Sequence, residues 1–422
     1  MTEQPGLARR LNTADAVVIG LGSMIGAGVF SAFGPAARAA GAGLLIGLAL
    51  AAAIAYCNAT ASARLAAVYP TSGGTYIYGR ERLGPWWGFI AGWGFVIGKT
   101  ASCAAMALTV AAYAVPGIAG WAQRLVAIVT VLSLTALNYR GITKTAMLAR
   151  ILLACTLIAL TAVVVGIAAA KPDPSHLIDA DAWSAATVYG VLQSAGLLFF
   201  AFAGYARIAT MGEEVRDPAN TIPRAIRIAL AIAVAIYLIV AVTALLAAGP
   251  DRLAHAAAPL AEAVRAAGMP ALVPVITVGA AVASMGALLA LVAGLGRTVL
   301  AMARHRDLPG WLAAVHPRYH VPYHAEIGLG AVVCVLVATV DLRGVIGFSS
   351  FGVLIYYAIA NAAAYTLPAG KRRHRILNAC GLIGCLLLVA TLPWQSAVAG
   401  LIVFAIGIAG RAAVLQRRTR GG

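Results

Sequence analysis

Gly22-Ser23-Met24-Ile25-Gly26-Ala27-Gly28-Val29-Phe30 lies in the middle of the first long apolar segment, where Leu, Ile or Val would ordinarily continue a membrane helix. Residues 22–28 hold three glycines and a serine, and each Gly weakens a helix by about 1 kcal/mol relative to Ala. In hydrocarbon a loosened backbone survives only where it is buried in protein or lines a wet cavity. Two readings are open on this stretch alone. Gly22, Gly26 and Gly28 could form a seam of small residues for close helix packing. Alternatively the helix is interrupted here, which is one way to build a ligand site inside a membrane.

The surrounding composition settles the class. The 422 residues are 62% hydrophobic and 11% charged, against roughly 25% charged in an ordinary soluble domain. The chain therefore reads as a polytopic membrane protein. Its net charge of +17 is spread over short loops between apolar stretches, which suits topology control better than a nucleic-acid surface. The polar stretch from Met1 to Thr13 runs into a long span with no small-residue cleavage site after it, so no removable signal peptide is expected. All six cysteines fall inside apolar stretches and form no C-x-x-C pair, which argues against a disulfide framework or a zinc site. His316, His320 and His324 are evenly spaced, but Pro317 and Pro322 prevent one helical face from presenting all three. No metal and no cofactor are expected.

About 20 apolar residues cross a bilayer. Polar and Gly/Pro punctuation cuts the chain into twelve such spans, near 14–38, 42–69, 86–115, 121–137, 149–170, 185–211, 222–248, 271–303, 323–341, 343–367, 377–392 and 394–413. The last two read as short and tightly joined around Pro393. Roughly four-fifths of the Lys and Arg residues outside the spans fall on one alternating set of loops, which by the positive-inside rule places both termini in the cytoplasm. The other set carries only Arg38, Arg124, Lys171, Arg252, Arg265 and Arg343.

No carboxylate lies at mid-membrane, so a buried Asp/Glu proton relay is not expected. Lys99 is the exception among mid-span positions, in Gly98-Lys99-Thr100-Ala101-Ser102. A lysine at the centre of a lone membrane helix costs about 2.5–3.5 kcal/mol on insertion scales. It should therefore face the protein interior, as a cation toward a ligand or as a group that exchanges a proton.

The sixth span reads Phe199-Phe200-Ala201-Phe202-Ala203-Gly204-Tyr205, followed by Gly212-Glu213-Glu214-Val215-Arg216-Asp217-Pro218 and Ile222-Pro223-Arg224. With the first-span glycines, this resembles the amino acid–polyamine–organocation (APC) family of permeases. Pro70-Thr71-Ser72-Gly73-Gly74-Thr75-Tyr76 with Leu83-Gly84 is similar to that family's loop between spans two and three. Asn138 with Gly141, and Ala301-Met302-Ala303-Arg304 with Leu308-Pro309, match later positions in the same order.

The resemblance implies an all-α polytopic membrane protein of 12 transmembrane helices. It also implies a five-plus-five inverted repeat with helices 1 and 6 broken, and two further C-terminal helices. On that scheme residues 1–13 are a cytoplasmic segment, 14–170 the first repeat and 185–367 the second; 377–413 hold helices 11 and 12, and 414–422 form a basic cytoplasmic tail. It further implies that N–H groups at Gly26, Ala27 and Gly28 cradle a carboxylate. Carbonyls of Ser23, Met24, Phe200 and Ala203 would then receive an ammonium beside Gly204. Phe200 and Phe202 would close over the substrate, with a packing role for Phe202 equally open.

Three departures from the family pattern matter. Ala206 and Arg207 stand where many relatives carry an acid after the break. Thr156 stands where some proton-coupled relatives have a lysine. Lys99 falls where relatives place a polar residue facing the pocket, which makes it a candidate anion contact or proton-coupling group. Arg207, Glu213 and Glu214 are candidates for coupling or gating, and a solvated charge cluster is the plainer reading of the two glutamates.

The expected function is secondary active transport of amino acids, neutral or acidic favoured, across the cytoplasmic membrane as a proton symporter or exchanger. A polyamine or organic-amine carrier or exporter, and a non-transporting sensor of the same fold, are the alternatives. The expected partners are a small-molecule substrate, membrane lipid and a coupling proton, with no nucleic acid. H-E-x-x-H, G-x-S-x-G and paired intramembrane carboxylates are all missing from the sequence, so an enzyme is not expected.

Overall fold

The computed structural model describes residues 11–70, 73–116, 118, 120–140, 146–209, 211–212, 215–319, 321–368 and 372–420. It is 86% helical, with no strand among the described residues. Eleven described helices are long and apolar enough to cross a membrane. Another apolar helix, Tyr323–Thr339, has 17 residues, at the short end of what spans a bilayer. The chain is an integral membrane protein.

Span 1 begins at Thr13, where Asn12 and Asp15 form a reciprocal cap: the Asn12 side chain accepts the Asp15 N–H at 2.9 Å and Asp15 accepts the Asn12 N–H at 3.1 Å. Arg150 at the start of span 5 pairs with the same Asp15. Span 1 then runs Thr13–Met24, Ala27–Ser31 and Phe33–Ala40, so the helix is interrupted within the glycine stretch. Span 6 runs Val188–Phe202, tightens into a 3-10 turn at Ala203–Tyr205 and resumes over Ala206–Ala209.

The other spans are Leu44–Val68, Pro85–Ala114, Gly120–Tyr139, Ala146–Ala169, Pro218–His255, Val273–Arg304, Tyr323–Thr339, Leu342–Tyr365, Arg372–Thr391 and Trp394–Arg420. Span 7 ends at the kink at Gly249, where φ is +69° and Pro250 follows, and a further helical stretch runs on to His255. One expectation about length needs correction. Span 12 is 27 residues long and not short. Residues 411–420 contain no Gly or Pro to stop it, so the stretch expected as a tail is helical to Arg420.

Two short helices between spans were not expected, Thr75–Leu83 after span 2 and Pro259–Ala266 after span 7. Each is tied to one half of an interrupted span. Tyr78 of the first donates toward the Ala209 carbonyl at 3.3 Å. The Leu260 N–H of the second donates to Tyr113, whose hydroxyl donates to the Phe30 carbonyl at 2.7 Å.

On the face where span 1 enters, Asp307 accepts from Tyr76 at 2.8 Å and pairs with Arg80 at 3.2 Å and Arg411 at 2.9 Å. Burial, and then the Asp307 carboxylate, push the Tyr76 phenol well above its ordinary range, so it stays protonated and donates. Arg411 also lies over the Trp86 and Phe89 rings, at 4.6 and 4.8 Å from their centroids. Span 12 is thereby fastened to the start of span 3.

Spans 3 and 10 pack through small residues. A Cβ on Gly352 would sit 2.6 Å from the Gly94 carbonyl oxygen, and Ser102 and Ser349 share a hydrogen bond of 2.7 Å. Little can yield there, because the obstacle is backbone. Gly352→Ala is expected to destabilise the detergent-purified protein by about 1–3 kcal/mol, read as a lower thermal unfolding midpoint. Gly310→Ala, with open space around it, should leave that midpoint in place; equal midpoints for both variants would contradict this packing account.

Candidate substrate site

The two interruptions meet backbone to backbone. A Cβ on Gly204 would lie 2.3 Å from the Ser23 carbonyl oxygen and 2.5 Å from the Met24 nitrogen, so only glycine permits this approach. The first break is tight: the Ile25 N–H donates to Leu21, and the Gly26 N–H turns back onto Met24 O at 2.9 Å. Ala27, Gly28 and Val29 then open a new helix, and the N–H groups of a first turn have no partner within their own helix.

Interrupting a helix also frees carbonyls, and a buried unpaired carbonyl is costly. Tyr237 of span 7 answers this at the junction. Its fully buried hydroxyl lies 2.7 Å from Met24 O and 2.9 Å from Ala201 O, so one proton serves a carbonyl from each interrupted span. Phe202 packs edge-on against the Tyr237 ring, with centroids 5.1 Å apart.

Lys99 comes to the same place from span 3. It is 4% exposed, and its ammonium donates to Ala203 O at 2.9 Å. The Tyr357 hydroxyl of span 10 reaches that oxygen at 3.5 Å. A small cavity of about 20 Å³ beside them is lined by Lys99, Ala203, Gly204 and Arg207, among others. That is room for about one water and far below the roughly 300 Å³ of a small-ligand pocket, so the junction is closed to a solute in this state.

The structure thus brings together Ser23, Met24, Gly26, Ala27, Gly28, Lys99, Ala203, Gly204 and Arg207 around one junction, with different parts for each. Ser23 spends its hydroxyl on Ile19 O at 2.9 Å. Gly28 serves close packing, since a Cβ there would sit 2.6 Å from Ala201. The Phe200 carbonyl already accepts the Ala203 N–H. Phe202 sits in the packing position against Tyr237, away from the residues that line the small cavity. Thr156 is buried and donates to Leu152 O at 2.8 Å within its own helix. Glu213 and Glu214 lie outside the described residues; the ion pairs described on that face are those of Asp307 with Arg80 and Arg411 and of Asp15 with Arg150.

Comparison with known proteins identifies the family. Residues 11–410 match the model of a family described as amino acid permease. The chain belongs to the amino acid permease family, within the APC group that its motifs resemble. The permease is 60% identical to an uncharacterized transporter of Mycobacterium tuberculosis, over 98% of this chain and 93% of that protein. It is 27% identical to a methylthioribose transporter of Bacillus subtilis, over 90% and 84% of the two chains. It is 26% identical to a branched-chain amino acid permease of the same organism, over 96% and 92%. The chain is a transporter by family, with a small-molecule substrate.

Sequence reasoning passed over Tyr237 and Asp307. Tyr237 sits in an unbroken apolar run, where a lone tyrosine carries no motif; its single signal is a hydroxyl in hydrocarbon, which needs a partner. Tyr237→Phe is expected to cost about 1–3 kcal/mol, because it removes the buried donor that the Met24 and Ala201 carbonyls share. Thr243→Val, which removes an exposed hydroxyl bonded only within its own turn, should cost far less. Thermal unfolding of both variants checks this, and equal losses would contradict the bridging role.

Proposed function

We propose that this permease is a secondary carrier of amino acids, with neutral or acidic side chains favoured, that works by alternating access as a proton symporter or exchanger. The observation that carries the reading is the contact of two interrupted spans at Gly204 and Ser23–Met24, with Lys99 held on the Ala203 carbonyl. Unpaired N–H groups at the start of a helix suit a carboxylate. Ala27 and Gly28 supply them here. The Ala203 carbonyl suits an ammonium, and Lys99 now fills that role from within the protein. Substrate entry therefore has to open the junction and draw Lys99 off Ala203.

The two short helices support the five-plus-five inverted arrangement, with repeats over 14–170 and 185–367. Thr75–Leu83 follows the second span of one repeat and Pro259–Ala266 the second span of the other, and each is tied to the interrupted span of the opposite repeat, the latter through Tyr113. The positive-inside bias supports cytoplasmic termini and a place in the plasma membrane. The relatives' names divide between a methylthioribose transporter and a branched-chain amino acid permease, so family alone does not choose the substrate. Buried Lys99 on this cavity, with no carboxylate among the cavity's described lining residues, is what favours neutral or acidic solutes over polyamines.

The test is uptake of a panel of labelled amino acids and amines into proteoliposomes under imposed proton or sodium gradients, for wild type and Lys99→Gln. A hydrogen bond from a charged group contributes about 1.5–3 kcal/mol, so the substitution should alter uptake roughly tenfold or more and shift both the substrate profile and its pH dependence. An unchanged profile and pH dependence would remove Lys99 from the site.

A further inference from the structure

A second cavity lies away from the junction, on the face opposite the one where span 1 enters. It is a cavity of about 390 Å³, lined by Arg38, Arg124, Arg343, His255, Asp341 and Ser31 together with apolar residues of span 3. That volume is within the range of small-ligand pockets, about 300–1,000 Å³.

Its charge is unusual for its position. The loops on this face hold only six basic residues, Arg38, Arg124, Lys171, Arg252, Arg265 and Arg343, and three of the six line this one void. Topology favours few basic residues on this face, so their convergence has to be explained by something other than orientation.

Three arginines meet one carboxylate here. Arg38 donates to the Ala254 carbonyl at 3.2 Å, and Arg124 donates to the Ala338 carbonyl. The Arg343 Nε is buried without a hydrogen-bond partner, and the Asp341 carboxylate acts on that guanidinium through space. Among the described residues, no ion pair forms at any of the three. Asp341, the single acid on the lining, spends Oδ1 on the Gly344 N–H that starts span 10. Arg343 is half-buried and Arg38 exposed, so the guanidiniums stay open to a solute, and a carboxylate would supply a two-oxygen acceptor matched to their fork.

The cavity also adjoins the transport path. Ser31 is four residues beyond Ala27 on the second piece of span 1, and it bonds Thr109 of span 3 at 2.7 Å. A solute held here would lie next to the helix whose first turn offers N–H groups to a carboxylate.

We infer that this cavity is a carboxylate-binding vestibule, which captures a small organic acid or acidic amino acid through Arg38, Arg124 and Arg343 before it reaches the central junction. The inference builds on the carrier reading but has its own observable, because binding in the vestibule does not require turnover.

The experiment titrates L-glutamate, succinate, L-leucine and chloride into the purified full-length protein, in detergent and in nanodiscs made with either zwitterionic lipid or phosphatidylglycerol, with binding followed by calorimetry. Saturable glutamate and succinate binding is expected, with leucine and chloride much weaker. Arg343→Gln and Arg124→Gln should each weaken it roughly tenfold, the scale of one charge-assisted hydrogen bond. Arg343→Lys should retain part of it, and Lys99→Gln should leave a carboxylate site intact. Carboxylate binding that is absent from wild type, or unchanged in both arginine variants, would overturn the vestibule. Phosphatidylglycerol abolishing glutamate binding would overturn it too, by assigning the arginines to a lipid phosphate. Counterflow in proteoliposomes separates the two claims: transport without carboxylate binding sinks only the vestibule, and binding without transport sinks only the carrier.

Discussion

Two interrupted helices in a membrane need their loosened backbone groups satisfied from inside the protein, and this requirement organises the rest of the structure. Gly204 lies directly on the Ser23–Met24 peptide, leaving no room for a side chain or water between the two breaks. The freed carbonyls are met by Tyr237 from span 7 and Lys99 from span 3. Each donor sits on an intact helix, so the junction is held by rigid neighbours that do not share its looseness. Water in the bilayer core could not have done the same work, because there is none to supply it.

The arrangement also explains how a closed site can remain a usable one. Lys99 is a cation with a hydrogen-bond acceptor but no carboxylate partner among the residues lining its cavity. A lysine so placed is satisfied only while it stays on Ala203, and a solute bringing its own ammonium competes for the same oxygen. On the proposed reading, the closed junction is balanced by a contact that substrate replaces. By contrast, the Asp307 cluster engages three donors and is locked to span 12 through Arg411. The proposed carrier would then move at the junction and stay fixed at the Asp307 clasp.

Much of the architecture was legible in the chain because hydrocarbon allows few choices. Apolar length marked the spans, and the first-span glycines marked the interruption within two residues of where it falls. The reason each glycine is there was less legible. Gly22 meets open space, Gly28 is filled by Ala201, and Gly26 folds back on Met24. Both initial readings of the stretch therefore hold, for different glycines. Lys99 announced itself by cost, since a mid-membrane ammonium demands a partner. Tyr237 and Asp307 did not, because their importance comes from which carbonyls and guanidiniums the fold brings to them, and spacing along one chain does not encode that. The three vestibule arginines were visible singly as exceptions to charge bias, but they lie on spans or loops more than 300 residues apart at the extremes, and only the fold gathers them.

The most direct measurement is the structure of the purified permease with a carried amino acid bound. The ligand should lie between residues 23–28 and 200–204, with its carboxylate on the Ala27 and Gly28 N–H groups and the Lys99 ammonium displaced from the Ala203 carbonyl. A carried amino acid bound elsewhere, with the Lys99–Ala203 contact and the Gly204–Ser23 contact intact, would contradict the account.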